Sequence, residues 1–192
     1  MTLFKDKVVI VTGAASGIGK ALCQQLSTKQ AIIFITDIDL IQCQQLAIQI
    51  TQSGGRAVAA KLDVSNLLEF EQLILSVCQQ HQKLDYIFNN AGIGIAAEVQ
   101  DMQIEDWQNI VNINLWGVIN GTTTAYKIMV KQGFGHIVNI ASLAGLIGSP
   151  TMTAYATTKS AIIGLSNSLR MEAKSLGVKV SVVCPGFIQT SI

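Results

Sequence analysis

Tyr155 and Lys159 stand four residues apart in Tyr155-Ala156-Thr157-Thr158-Lys159, a spacing that puts both side chains on one face of a helix. A free phenol ionises near about pH 10. A neighbouring ammonium favours the phenolate and brings such a pair into range for acid/base work. Ser142 follows an apolar run, and its hydroxyl can donate to a carbonyl or alcohol oxygen without carrying charge. Near the other end of the chain, Thr12-Gly13-Ala14-Ala15-Ser16-Gly17-Ile18-Gly19 closes a first apolar run and opens a helical segment. Glycines at such a turn let the backbone approach a pyrophosphate, whose charge then sits at the positive end of the helix. The turn alone is weak evidence; a strand before it, a helix after it and a second strand beyond give it meaning.

Three further polar positions fall just after apolar runs. Asp37 ends the second run, and a carboxylate there can accept hydrogen bonds from an adenosine ribose while repelling a 2′-phosphate. No Arg stands in the glycine turn or beside Asp37 to neutralise such a phosphate, so NAD is expected rather than NADP. Asp39 is the better candidate for capping the helix that follows. Asp63-Val64 closes the third run and Asn89-Asn90-Ala91-Gly92 the fourth. Each could be ordinary turn chemistry. Taken together at successive strand ends, Asp63, Val64, Asn90, Ala91 and Gly92 outline one groove with the glycine turn, because ligands of open parallel sheets bind beyond the strands' C-terminal ends.

The elements that must hold these groups are readable from periodicity. Short apolar runs at Val8–Val11, Ala31–Ile35, Ala57–Ala60, Tyr86–Phe88, Ile137–Ile140 and Val178–Val183 predict strands. Between them, helical spacing predicts helices near 17–29, 39–53, 105–132 and 155–176, and Leu67, Leu68, Phe70, Leu73, Ile74 and Val77 mark one apolar face of another. Nearly continuous apolar strands alternating with helices imply a parallel sheet covered on both faces. The expected fold class is therefore α/β, a three-layer doubly wound parallel sheet of the Rossmann type, with residues 1–192 forming a single dinucleotide-binding domain. Gly117 and Gly121 sit four apart inside helix 105–132, where each costs about 1 kcal/mol relative to Ala; a close neighbour is expected there.

Composition narrows the function classes. Hydrophobic residues make up 49% and charged residues 13% of the chain, which excludes disorder and implies a large core. Lys and Arg (13) nearly balance Asp and Glu (12) without runs of like charge, so nucleic acid and anionic membranes are not expected partners. The run Val8–Val11 is too short for a signal-peptide core or a bilayer span. Cys23, Cys43, Cys78 and Cys184 form no CxxC pair and read as reduced, buried thiols, consistent with a cytoplasmic location. His81 and His136 assemble no metal site, and structural roles are expected for both.

The ordered set Thr12–Gly19, Asn89-Asn90-Ala91-Gly92, Tyr155 to Lys159 and Pro185-Gly186 resembles the motifs of the short-chain dehydrogenase/reductase family from residue 7 to the last residue. The resemblance implies an NAD(P)-dependent oxidoreductase acting on CH–OH groups, passing a hydride between NAD(H) and an alcohol or ketone. It implies that Gly13, Ser16, Gly17, Ile18, Gly19, Asp37, Asp63, Val64, Asn90, Ala91, Gly92, Pro185 and Gly186 line the cofactor. Ile188 and Thr190 resemble the start of its nicotinamide-amide contact. Tyr155 would exchange the proton, Lys159 would tune it and hold the nicotinamide ribose, and Ser142 would orient the substrate oxygen. Asn114, in Asn112-Ile113-Asn114, matches the family asparagine that anchors a water in a proton relay. Helices 105–132 and 155–176 resemble the pair that builds a dimer interface, so a homodimer or homotetramer is expected.

Members of that family are usually longer. By the same resemblance the substrate loop and a final strand lie past Pro185-Gly186, and this sequence is expected to lack both, leaving Val178–Val183 as an open apolar edge. A water-excluding cover contributes much of rate and specificity, so a non-catalytic dinucleotide-binding or interaction module is the competing reading. The expected pocket walls, Ile95, Leu143, Ile147, Met152 and Phe187, are apolar and carry no cation for a carboxylate or phosphate. They point to a hydrophobic substrate, although ordinary packing would produce the same residues.

Overall fold

The computed structural model describes residues 3–188. Its centre is a six-stranded sheet, β1 (Val8–Thr12), β2 (Ile32–Asp37), β3 (Arg56–Lys61), β4 (Tyr86–Asn89), β5 (Gly135–Ile140) and β6 (Val178–Val183). The order across the sheet is β3-β2-β1-β4-β5-β6, and every neighbouring pair is parallel. The helices are α1 (Gly17–Thr28), α2 (Leu40–Gln52), α3 (Leu67–His81), α4 (Ile104–Val111), α5 (Gly117–Gln132) and α6 (Thr153–Ala173). The chain winds from β1 outward to β3, then crosses back to β4 on the other side of β1. That reversal leaves a crevice at the C-terminal ends of β1 and β4.

The apolar strands follow from burial on both faces. Val8 and Ile10 of β1 join one core with Phe70 and Ile74 of α3 and Met129 of α5. Val9 and Val11 join the opposite core with Cys23 and Leu26 of α1 and Cys43 and Leu46 of α2. Because side chains alternate along a strand, both sets must be apolar, and each fully buried aliphatic side chain contributes about 1.5–3 kcal/mol. Asp39 caps α2, accepting from the Gln42 N–H at 3.0 Å. Asn66 caps α3 through the Leu68 and Glu69 N–H groups. Gly133, at φ +74°, closes α5 in the left-handed region.

The expected helix 105–132 is two α segments joined by a π turn at Asn112–Trp116, where the Gly117 N–H reaches five residues back to the Asn112 carbonyl. Its glycines meet close neighbours as expected. A Cβ on Gly117 would lie 2.7 Å from Val64 Cγ2, and one on Gly121 would collide with Asn89 Oδ1 and lie 2.8 Å from Phe70 Cζ. The helix expected at 155–176 starts earlier, at Thr153, and ends at Ala173 in a 3-10 turn, Lys174–Leu176. All four cysteines are free; Cys23 and Cys43 are buried, while Cys78 and Cys184 are only partly so. Burial pushes the Cys23 and Cys43 thiols up to about 12. No described helix is long and apolar enough to cross a membrane. Among the described residues nothing pairs with the outer edge of β6.

Candidate active site

A cleft of about 950 Å³ runs along the C-terminal edge of the sheet. One wall is the β1–α1 turn. Gly13 sits at φ +61°, and a Cβ there would come within 2.6 Å of Ala91 Cα, so only glycine lets this turn and the one after β4 touch. Those turns are laced together. Thr12 Oγ1 accepts from the Asn90 and Ala91 N–H groups at 3.0 Å each, and Asn90 Nδ2 donates to the Thr12 and Gly13 carbonyls, also at 3.0 Å. Ser16 caps α1 without a side-chain capping bond and lines the cleft with Gly17 and Ile18. First-turn N–H groups have no partner within the helix, so this corner presents donors and the positive helix end to an anion. Gly19 does not line the cleft. It packs beneath the turn, where a Cβ would strike the Gly13 carbonyl.

Asp37 stands at the next strand end. Its carboxylate accepts from the Ala15 N–H and the Asp39 N–H, both at 3.1 Å, tying the glycine turn to β2 while still facing the cleft. Ile38, Asp63 and Val64 continue this end of the lining. Asp63 Oδ1 is engaged by the N–H and hydroxyl of Ser65.

At the other end, α6 brings Tyr155 and Lys159 to the same wall as Ser142. Lys159 is 3% exposed; its amine donates to the Ile140 carbonyl at 3.0 Å and lies 5.4 Å from the Tyr155 ring centre. Burial pulls the Lys159 amine down from its usual 10.5 to about 8. Ser142 Oγ accepts from the Ala144 N–H at 3.2 Å, and the Leu143 N–H bonds the Pro185 carbonyl at 2.8 Å, so the serine turn is fastened to the segment after β6. Pro185, Gly186 and Ile188 line the cleft; Thr190 lies outside the described residues.

Asn114 is completely buried in the π turn and stands behind the wall rather than in it. Its side chain accepts from the Ile93 N–H at 2.8 Å and donates to the Ile93 carbonyl at 2.9 Å and the Thr158 hydroxyl at 3.4 Å. A Cβ on Gly92 would approach Asn114 Oδ1 to 3.2 Å and Lys159 Nζ to 3.5 Å. Of the expected walls, Leu143, Ile147, Met152 and Phe187 line the cleft, whereas Ile95 does not; Ile93 and Gly94 take its place. Thr12, Ile93, Thr158 and the Ile140 carbonyl were not singled out from sequence. Nothing in a residue's type marks a backbone acceptor or a second partner of a buried amide.

The histidines lie elsewhere. His136 Nε2 pairs with Ser181 Oγ at 2.8 Å, and burial together with the Lys179 charge lowers its pKa below 6.5. His81 meets Phe34 edge-on. No group of three or more His, Cys, Asp or Glu among the described residues is arranged to hold a metal.

The family model described as short chain dehydrogenase matches residues 7–192. The chain is 36% identical over its whole length to a 3-oxoacyl-[acyl-carrier-protein] reductase of Synechocystis, covering 78% of that protein. It is 33% identical over its whole length to an uncharacterised oxidoreductase of Staphylococcus aureus, covering 82% of it. Among solved structures, a Burkholderia phymatum short chain dehydrogenase/reductase in complex with NAD superposes with a TM-score of 0.96 at 30% identity, over 100% of this chain and 69% of that one. A short chain dehydrogenase from Mycobacterium smegmatis gives 0.92 at 31% identity, over 97% of this chain and 79% of the other.

Proposed function

Because this chain belongs to the short-chain dehydrogenase family of oxidoreductases, we propose that it passes a hydride between NAD(H) and an apolar alcohol or ketone, with Tyr155 as the acid/base. The observation that carries this reading is the cluster of Tyr155, Lys159 and Ser142 at one end of a cleft whose other end holds Asp37 and the glycine turn.

The cleft fits a dinucleotide. The glycine turn offers helix N-terminal donors at a place where side chains would not fit, and the Asp37 carboxylate faces the cleft where an adenosine ribose would lie. Gly13, Ser16, Gly17 and Ile18 would hold the pyrophosphate, Asp37 the ribose, and Asp63, Val64, Asn90, Ala91 and Gly92 the groove between. Pro185, Gly186 and Ile188 would close the nicotinamide end. When bound, the nicotinamide supplies or accepts the hydride. The structurally similar Burkholderia protein was solved with NAD, and the Asp37 carboxylate disfavours a 2′-phosphate; both support NAD over NADP.

The proton is the protein's part. Tyr155 gives a proton to the carbonyl oxygen during reduction and takes it back during oxidation. The Lys159 ammonium stabilises negative charge on the phenol oxygen as that proton leaves. The Ser142 hydroxyl donates to the same substrate oxygen and holds it in line. Asn114 fixes the strand-end segment at Ile93, and through Thr158 the start of α6, so that wall and helix keep their spacing. The two relatives named 3-oxoacyl-[acyl-carrier-protein] reductase support a carbonyl as the reacting group.

The test is a fluorescence titration with NADH and NADPH, followed by turnover of the parent and of Tyr155→Phe. Preferential NADH binding is expected, with the Phe variant binding as the parent does while turnover falls by about 10³-fold or more. Equal turnover by parent and variant would remove Tyr155 from the chemistry.

A further inference from the structure

The formal charge of +1 conceals a strong polarity. Each helix, with α4 and α5 counted as the one long helix they form, begins at the C-terminal edge of the parallel sheet and ends at the opposite edge. At the cleft edge stand nine acids: Asp37, Asp39 and Asp63 at strand ends, Glu69 and Glu71 at the start of α3, Glu98 and Asp101 after β4, and Glu105 and Asp106 at the start of α4. Only Lys20, Lys61 and the buried Lys159 oppose them there. The other edge carries Lys5, Lys7, Lys29, Arg56, Lys83, Lys127, Lys131, Arg170, Lys174 and Lys179 against Asp6, Asp85 and Glu172. These sets contain every charged side chain of the sequence. The cleft edge is therefore about six charges negative and the far edge about seven positive. Part of the arrangement has a local origin: Glu69, Glu105 and Asp106 in first turns and Lys131 and Arg170 in last turns complement their helix dipoles, and the rest follows from which strand ends and loops carry each sign.

The substrate end of the cleft deepens the effect. Ile93, Gly94, Leu143, Ile147, Met152 and Phe187 line it, and Lys159 is the one cation among the lining residues. Lys159 spends one of its hydrogens on the Ile140 carbonyl. Glu98 and Asp101 are exposed on the segment that continues from Ile93 and Gly94.

We propose that this cleft selects uncharged carbonyl compounds and alcohols and discriminates against those bearing a carboxylate or phosphate, because acids predominate along its edge and the single cation at its substrate end, Lys159, is buried and committed to the Ile140 carbonyl and the Tyr155 ring. The proposal rests on the hydride-transfer reading above. An anionic substrate meets a repulsive field on approach, and the one cation it could meet, Lys159, is buried in the wall.

The experiment compares alkyl esters of 3-keto acids with the free 3-keto acids, using saturating NADH at low and at high ionic strength. At low salt the esters should exceed the acids in kcat/KM by about tenfold or more. Raising salt should increase the rate for the acids about threefold and leave the esters unchanged, as screening removes the repulsion. The double variant Glu98→Gln/Asp101→Asn, outside the proposed catalytic and cofactor groups, should narrow the gap. Free acids that match the esters at low salt, or slow down as salt rises, overturn the proposal. If neither kind is reduced, the hydride-transfer reading fails instead, and the field is judged by stopped-flow association of NADH, whose pyrophosphate is anionic. Acceleration with salt then sustains the negative field, and slowing with salt refutes it.

Discussion

Replacing Lys159 by Met isolates the energetic consequence of burying an amine. The native amine gives up its proton near pH 8 because burial disfavours the charge, whereas an unfolded chain holds it to about 10.4. Between those values the native state binds fewer protons than the unfolded state, so stability rises with pH. Below about pH 8 the ammonium costs its full amount; above the unfolded value the cost is gone. The window is worth roughly 3 kcal/mol. Methionine removes this term but also leaves the Ile140 carbonyl without its donor, a loss of about 1–3 kcal/mol. At pH 7 the variant is therefore expected to equal the parent or exceed it by up to about 2 kcal/mol. Near pH 10, where only a fraction of a kcal/mol of that cost remains, it should be the less stable protein by up to about 2 kcal/mol. Urea unfolding followed by tryptophan fluorescence at pH 7, 8, 9 and 10 measures the difference, and the shared titration of the cysteines cancels. Parallel stability curves for the two proteins would refute the reasoning; lost turnover in the variant would not rescue it.

Three other outcomes are expected. Gly121→Ala drives a Cβ onto Asn89 Oδ1, a buried oxygen without a hydrogen-bond partner, and should cost about 2–4 kcal/mol in urea unfolding, with cofactor affinity reduced much less. Asp85 is pushed up by burial but held lower overall by donors from Lys7, the Val8 N–H and Lys83. The stability it contributes is present above its ordinary carboxylate value and is lost as pH falls through the depressed one. Asp85→Ala should cost about 2–4 kcal/mol at neutral pH and flatten the acid limb of the stability profile. Exposed Ile104 and Trp116 lie along the α4–α5 helix, where a homodimer is expected; light scattering that gives a monomer at high protein concentration would exclude it.

Sequence reading recovered what is written in repeated patterns. The strands were placed from their apolar runs, which two-sided burial imposes on β1, β2, β4 and β5 but not on the edge strand β3, none of whose residues is buried, and Asp39 was correctly separated from Asp37 as the cap. Gly117 and Gly121 announced close packing, since glycine is disfavoured in a helix without such a reason. What escaped was information carried by no single residue type. The π turn consists of Asn112-Ile113-Asn114-Leu115-Trp116, which reads as ordinary helix; only the packing on either side demands the extra residue. Gly19 belonged to the right motif, but whether a motif glycine faces a ligand or supports the turn from below depends on geometry alone. The charge polarity was hidden for a similar reason, because a balanced total says nothing about which end of each helix bears which sign.

The π turn also constrains how this chain can change. One residue more than a regular ladder needs rotates everything before it by roughly 100° relative to everything after it. The first segment, α4, can thus turn toward α6 while α5 faces α3 and the sheet. Deleting one residue from 112–116 would make a more regular helix in isolation and would swing Ile110 out of its buried setting while shifting Asn114 away from Ile93. Substitutions along this helix can accumulate one at a time, but a change in its length cannot. The site is thereby protected by phase: a lineage that lost the extra residue would have to rebuild two helix faces at once.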